Sequence, residues 1–130
     1  MKNIIKDWIL IADNDMKIIE RLMGDEAVIA SGVIFHCQQA IEKYFKAYLI
    51  EHGWNLQKTH DLVNLYAEIK PVKDLELDEN MLDEIFNMYI DARYPDDYKE
   101  PSKEEAENAW KFTQEIESKI KHELGITAEG

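Results

Sequence analysis

The sequence lacks the residues that build disulfide-bonded or turn-rich proteins. It contains a single cysteine, Cys37, so no disulfide can form within the chain, which favours a reducing compartment. Five glycines and three prolines are too few for the many turns of a β-sandwich or β-barrel. No segment approaches the roughly 20 apolar residues of a membrane span, and the first residues lack the pattern of a signal peptide. We therefore expect a cytoplasmic protein without membrane contact.

Positive charge is also scarce, because 15 basic residues stand against 27 acidic ones and the net charge is -12. A field of that sign repels phosphate backbones, so the protein is not expected to coat long stretches of nucleic acid. The net charge does not exclude a small local basic site. The four histidines follow no metal-ligand spacing, and no glycine-rich phosphate loop occurs. The sequence therefore predicts no metal and no cofactor. Its length and its 45% of hydrophobic residues are typical of one globular domain.

Apolar residues recur three and four positions apart along most of the chain, which predicts helices. We expect an all-α, up-and-down antiparallel bundle of about five helices. The predicted helices span residues 2–23, 26–52, 59–69, 78–91 and 102–124. The domain is predicted to cover 1–125, with a frayed tail at 126–130.

Local signals mark several of these boundaries. Gly53 is expected to end the second helix. Thr59 is a predicted N-cap of the third helix, with Asp61 placed well for the helix dipole. Ser102 and Glu105 form a predicted capping box at the start of the last helix.

The second predicted helix is apolar around most of its girth, which is typical of a helix at the centre of a bundle. Cys37 lies in this stretch and is interpreted as a buried small hydrophobe. The aromatic residues recur at helical spacing and are interpreted as core rather than as platforms for stacking bases. Because a short bundle leaves part of such a helix uncovered, we expect the protein to associate through that surface.

Three polar clusters stand where a simple bundle does not need them. In the first, Gln38, Glu42 and Lys46 are successive i+4 neighbours and form one ridge, and Gln38 should point partly inward. A solvated helix face with pairs such as Glu42–Lys46 is the alternative. The second cluster is Thr59-His60-Asp61. It predicts either a capped turn with a hydrogen-bonded histidine or an acid–base or phosphate-facing group.

The third cluster, Arg93-Tyr94-Pro95-Asp96, follows the fourth predicted helix. An arginine binds carboxylates or phosphates through two parallel bonds. The alternative is that Arg93 ties down its own loop through Asp91, Asp96 or Asp97.

The three clusters together resemble the HEPN family of prokaryotes. The run Gln38-Gln39-Ala40-Ile41-Glu42-Lys43, followed by Lys46-Ala47, is similar to the Gln-Gln-Ala-x-Glu-Lys-x-x-Lys-Ala run of that family. Thr59-His60-Asp61-Leu62 and Ala92-Arg93-Tyr94-Pro95 match its two other segments. The resemblance implies a helical domain that forms homodimers and pairs with a minimal nucleotidyltransferase, in some cases as toxin and antitoxin. It also implies a nucleotide-binding role.

Several branches of that family are ribonucleases with an Arg-x(4–6)-His motif in a cleft at the dimer interface. In this sequence the three positions for that histidine hold Tyr98, Lys99 and Glu100. The arginine is present and its histidine is missing, so we expect binding rather than cleavage. The alternative is a metal-independent ribonuclease toxin in which Arg93 binds phosphate and His60 or Tyr98 transfers the proton.

We expect the polar clusters to converge on one cleft that binds a nucleotide or an RNA phosphate. An arginine beside the ridge of the second helix would pair with Glu42 when no ligand is bound, and a phosphate would compete for Arg93 and Lys46. The predicted site residues are Gln38, Glu42, Lys46, His60, Asp61, Arg93 and Tyr94.

Overall fold

The computed structural model describes residues 2–55 and 58–126 and contains five α-helices in these ranges. They are α1 (Asn3–Met23), α2 (Ala30–Glu51), α3 (Leu62–Ile69), α4 (Glu79–Asp91) and α5 (Lys103–Glu123). The described part of the chain contains no strand, so the predicted all-α class is confirmed. Residues 127–130 of the expected frayed tail lie outside the described residues. Ile126, the first residue of that tail, donates its backbone N–H to Lys121 O at 2.8 Å.

Helix α2 is the centre of the bundle and packs against each of the other four helices. Fourteen of its 22 residues are buried, because its apolar residues surround most of the helix axis. Helix α1 covers one side of it with Ile5, Ile9 and Ile19. Helix α5 also packs against α2, and its buried face includes the small residues Ala106 and Ala109. The predicted central position of the second helix is confirmed.

Cys37 is completely buried within α2, as the sequence predicts. Burial raises the pKa of its thiol to about 12, because the thiolate would lose its hydration. The side chain therefore acts as a small apolar group of the core.

Two helices begin more than one residue later than predicted. Helix α2 begins at Ala30 rather than near residue 26. Before it, Asp25 Oδ1 accepts a hydrogen bond from Ala27 N at 3.1 Å, a local turn that competes with helix formation. Helix α3 begins at Leu62, and its N-cap is Asp61. The predicted cap at Thr59 is wrong, because the segment before Asp61 is held against α2 through His60.

The start of α5 is confirmed as predicted. Ser102 Oγ accepts from Glu105 N at 3.0 Å, and Glu105 Oε1 accepts from Ser102 N at 2.9 Å, which completes a capping box. Between α4 and α5 the chain is exposed from Ala92 to Glu100, and Pro101 is buried. This loop carries Arg93 into solvent.

The uncovered apolar surface lies mainly on α1 rather than on α2. Ile4, Ile11 and Ile18 of α1 are each at least 40% exposed, whereas Phe35 is the exposed large apolar residue within α2. Within α2 the four neighbouring helices cover most of the apolar surface, and the ring of Phe35 stays exposed. Tyr94 and Tyr98 are also exposed, so not every aromatic residue belongs to the core. None of the helices in the described ranges has the length and apolarity needed to cross a membrane.

Candidate functional site

A hydrogen-bonded polar network lies along the middle of α2. Gln38, Glu42 and Lys46 follow one another at i+4 spacing, and all three are buried. Lys46 Nζ donates to Glu42 Oε2 at 2.9 Å. The same carboxylate lies 2.9 and 3.0 Å from Nδ1 of His60, so one buried acid holds two nitrogen groups. We call Gln38, Glu42, Lys46 and His60 the Glu42 network.

His60 connects this network to solvent. Its backbone carbonyl accepts a hydrogen bond from Gln38 Nε2 at 2.8 Å, and 59% of its side chain is exposed. With Nδ1 donating to Glu42, Nε2 is the ring atom able to accept a proton. Gln38 Oε1 is buried and accepts no hydrogen bond from the residues that the structure describes.

Lys46 is not available to a ligand in the way that the sequence predicts. Only 7% of its side chain is exposed, and its ammonium lies 5.8 Å from the centre of the Trp8 ring. Because a buried cation needs its counter-ion, Lys46 serves to compensate Glu42. Of the ionisable side chains in the network, that of His60 is the most exposed to solvent.

Asp61 has a structural role at the start of α3. Its Oδ1 accepts from Val63 N at 2.9 Å and from Asn64 N at 3.3 Å. These bonds satisfy two of the N–H groups that a helix leaves without partners at its first turn. The carboxylate thereby fixes the start of α3, directly after His60.

Arg93 and Tyr94 lie just after the end of α4. The Arg93 guanidinium carbon is 4.5 Å from the centre of the Tyr89 ring, and Nη2 donates to the Tyr89 hydroxyl. Tyr94 is exposed, and its backbone N–H donates to Asp91 O at 3.1 Å within a turn.

Arg93 forms no ion pair with any carboxylate in residues 2–55 and 58–126. The expected pair with Glu42 is therefore absent there, since Lys46 and His60 occupy that carboxylate. Arg93 forms no ion pair with Asp91, Asp96 or Asp97 either, so these acids do not hold its loop in the way that the alternative predicts. The guanidinium is held by an aromatic ring instead of by an acid.

The predicted site residues thus lie in two separate places beside α2. The Glu42 network lies beside the middle of the helix. Arg93 approaches an earlier turn through Tyr89, whose ring centre is 5.8 Å from that of Phe35. Phe35 and Glu42 are seven residues apart, which is roughly 10 Å along a helix axis. The structure shows no hydrogen bond between Arg93 and the network within the described ranges.

The sequence profile described as HEPN domain matches residues 5–123, which include all three polar clusters. The chain belongs to the HEPN family. Neither a curated protein nor a solved structure gives a significant match. The match runs from the first turn of α1 to the last residue of α5, so the HEPN domain takes in the whole bundle.

In this HEPN domain, Tyr98 is a poor substitute for the missing histidine. Its hydroxyl donates to the carboxylate of Glu100, and this hydrogen bond raises the pKa of Tyr98 above its ordinary value near 10. A phenol of that kind does not exchange protons readily at neutral pH. His60 is the better placed of the two candidates for proton transfer, because Glu42 holds its Nδ1 while much of its side chain faces solvent.

A second carboxylate–histidine pair in the HEPN domain escaped the sequence analysis. His36 Nδ1 lies 2.8 Å from Asp15 Oδ1, and Lys43 Nζ donates to Asp15 Oδ2 at 2.6 Å. Asp15 is buried on the inner face of α1, four residues before Ile19. The sequence does contain a signal for this pair, because Asp15 falls at helical spacing among the core residues of α1. Within the described residues, no group of three or more His, Cys, Asp or Glu side chains is arranged to hold a metal ion.

Proposed function

We propose that this HEPN domain binds the phosphate of a nucleotide or of RNA through Arg93, forms a two-fold dimer and pairs with a minimal nucleotidyltransferase. Such a pair would act in the cytoplasm, where Cys37 stays reduced. A toxin–antitoxin pair is one form that this partnership would take.

The observation that carries the proposal is the state of Arg93. The sequence has 27 acidic residues, three of them within four positions of Arg93, yet no carboxylate of the described residues pairs with it. Stacking on Tyr89 fixes the guanidinium. Arginine groups positioned in this way bind phosphates with two charge-assisted hydrogen bonds.

The experiment compares the two arginines of the chain. Arg21 is exposed in the last turn of α1, so Arg21→Ala removes the same charge elsewhere on the surface. We expect Arg93→Ala to weaken binding of adenosine 5′-monophosphate or of the partner protein at least tenfold, and Arg21→Ala to leave it unchanged. Melting temperatures of both variants should stay near that of the unmodified protein. If Arg93→Ala unfolds the protein and leaves affinity per folded molecule unchanged, Arg93 is a structural clamp.

A dimer is supported by the stripe of Ile4, Ile11 and Ile18 on α1. These residues are seven positions apart, which is the spacing of helix-pairing seams. A two-fold axis at Ile11 would set Ile4 of one copy against Ile18 of the other, so the stripe is self-complementary. Trp8 belongs to the same helix and borders the Glu42 network, since its ring lies near Lys46. Paired α1 helices would therefore bring two networks close to one interface.

The nucleotidyltransferase partnership is tested by co-expression with the product of the neighbouring gene. We expect a complex of defined stoichiometry that survives gel filtration. A neighbouring gene that encodes no nucleotidyltransferase, or a product that elutes separately, would contradict this part of the proposal.

The second candidate function is a metal-independent ribonuclease, and the Glu42–His60 hydrogen bond favours it. A carboxylate on Nδ1 orients the imidazole and fixes which ring nitrogen faces solvent, as in proton-transfer sites of enzymes. Under this alternative, Arg93 would bind the phosphate and His60 would move the proton. RNA cleavage by the purified protein in the presence of a chelator should then be lost in His60→Ala and kept in His122→Ala, which removes another exposed histidine.

A further inference from the structure

Phe35 has an unusual position for a large aromatic residue of the central helix. It is 45% exposed, although its neighbours Val33 and Ile34 are almost completely buried. Its ring is nevertheless fixed in place. It meets the His36 ring edge-on, with the centres 5.1 Å apart, and it lies 5.8 Å from the Tyr89 ring. Because two neighbouring rings already restrict the Phe35 side chain, stacking of a planar group on its exposed surface would cost little further side-chain entropy.

The same ring lies close to the proposed phosphate-binding arginine. The Tyr89 ring centre is 5.8 Å from the Phe35 ring centre and 4.5 Å from the Arg93 guanidinium carbon, so Phe35 and Arg93 are separated by no more than about 10 Å. That span is comparable with the reach from base to phosphate in a nucleotide. Tyr94 and Tyr98, both exposed, add further aromatic surface on the adjoining loop.

The surface between these residues is a platform rather than a pocket. Phe35, Tyr89 and Tyr98 line a hollow of only about 20 Å³, which is room for about one water molecule. A base cannot enter such a hollow, but it can lie flat on an exposed ring above it. Aromatic rings beside an arginine are how proteins bind unpaired bases of single-stranded nucleic acid.

We infer that Phe35 stacks against the base of the nucleotide or single-stranded RNA whose phosphate Arg93 binds. The inference rests on the proposed function and adds the base as the group that is recognised. Because every base has a stacking face, contact with Phe35 alone selects bases over sugar phosphates rather than one base over another.

The experiment measures binding of two probes by isothermal titration calorimetry. Adenosine 5′-monophosphate carries a base, and ribose 5-phosphate carries the same sugar phosphate without one. Phe35→Leu should lower the affinity for adenosine 5′-monophosphate about tenfold and leave that for ribose 5-phosphate unchanged. Phe35→Trp, which retains an aromatic ring, should keep or raise the affinity for the nucleotide. Arg93→Ala should weaken both probes, and Val72→Ala, which trims another exposed apolar side chain, should weaken neither.

The possible results separate the inference from the proposed function. If Phe35→Leu leaves nucleotide affinity unchanged while Arg93→Ala lowers it, the stacking role is wrong and phosphate binding stands. Equal losses for the two probes would also overturn the inference, since Phe35 would then act by positioning Arg93. A Phe35→Leu variant that sediments as a monomer and binds the nucleotide normally would assign Phe35 to a protein interface instead. No binding of either probe by the unmodified protein would overturn the proposed function, and the inference with it.

Discussion

At the scale of single residues, the polar groups of α2 form a small ionic network in the interior. Glu42 and Lys46 are both nearly buried, and each satisfies the charge of the other. His60 adds a second hydrogen bond to the same carboxylate from the solvent side. An isolated charge in such a place is costly, so the members of the network depend on one another.

Removal of one member should therefore destabilise the protein more than removal of two. We expect Glu42→Leu to lower the free energy of unfolding by about 3 kcal/mol, because it leaves the Lys46 ammonium buried without a counter-ion. The double variant Glu42→Leu with Lys46→Leu should recover most of that loss. Urea unfolding followed by circular dichroism measures both. A double variant as unstable as the single one would show that the pair is not coupled.

Cys37 gives a prediction about pH. Burial raises the pKa of its thiol to about 12, so the folded state favours the protonated thiol. The resulting stability is fully present below the pKa of the thiol in the unfolded chain, near 8.5, and is lost as the pH rises towards 12. At pH 8, iodoacetamide should modify Cys37 only at the rate of unfolding and should react rapidly in 8 M urea. Rapid alkylation of the folded protein would contradict the buried position.

At the scale of elements, the short helix α3 depends on its first turn. It has eight residues, and the side chain of its N-cap Asp61 accepts hydrogen bonds from two N–H groups of its first turn. Helices of this length are marginal by themselves, so a cap and packing on α2 have to hold it. The same turn carries His60, which ties α3 to the Glu42 network.

Loss of the cap should affect both stability and His60. Asp61→Ala should lower the free energy of unfolding by about 1 kcal/mol. Thr59→Ala is the matched control and should cost less, because Thr59 Oγ1 accepts one hydrogen bond, from Asp61 N at 3.3 Å, outside the helix. Chemical shifts of the His60 imidazole should move in Asp61→Ala and stay nearly constant in Thr59→Ala. Equal losses of stability in the two variants would show that Thr59 stabilises the start of α3 as much as Asp61 does.

At the scale of the whole molecule, two surface properties act against each other. The stripe of Ile4, Ile11 and Ile18 favours association, whereas a net charge of -12 opposes it. Salt screens the repulsion between two acidic copies and strengthens the apolar contact only slightly. The proposed dimer should therefore tighten as ionic strength rises.

The stripe can be tested by one charge at its centre. Ile11→Lys should convert the dimer into a monomer without unfolding it, because Ile11 is already exposed in one copy. Leu10→Lys places the same charge on the same helix about 100° away from the stripe and should leave the dimer intact. Sedimentation velocity at two salt concentrations provides the readout. If the unmodified protein is a monomer at every concentration, the dimer proposal is wrong.

Much of the fold could be predicted from the sequence, because helical periodicity and capping are local properties. The capping box of Ser102 and Glu105 lies within one turn, and the apolar girth of α2 marked the central helix. The starts of α2 and α3 were misplaced, because in both cases a competing local turn or a contact with another element decided the boundary. The sequence of residues 59–61 does not contain the contact between His60 and Glu42 that holds this segment extended.

The sequence by itself determined the helical class, the central helix, the buried thiol and the i+4 ridge of Gln38, Glu42 and Lys46. Only the tertiary structure decided how those side chains are used, because partners far apart in the chain compete for the same groups. Glu42 is shared by Lys46 and His60, so it is not available to Arg93. Arg93 is held by Tyr89 instead, and Tyr89 in turn contacts the exposed ring of Phe35. Spacing along one helix fixes neighbours on that helix, whereas contacts between helices depend on how the whole bundle packs.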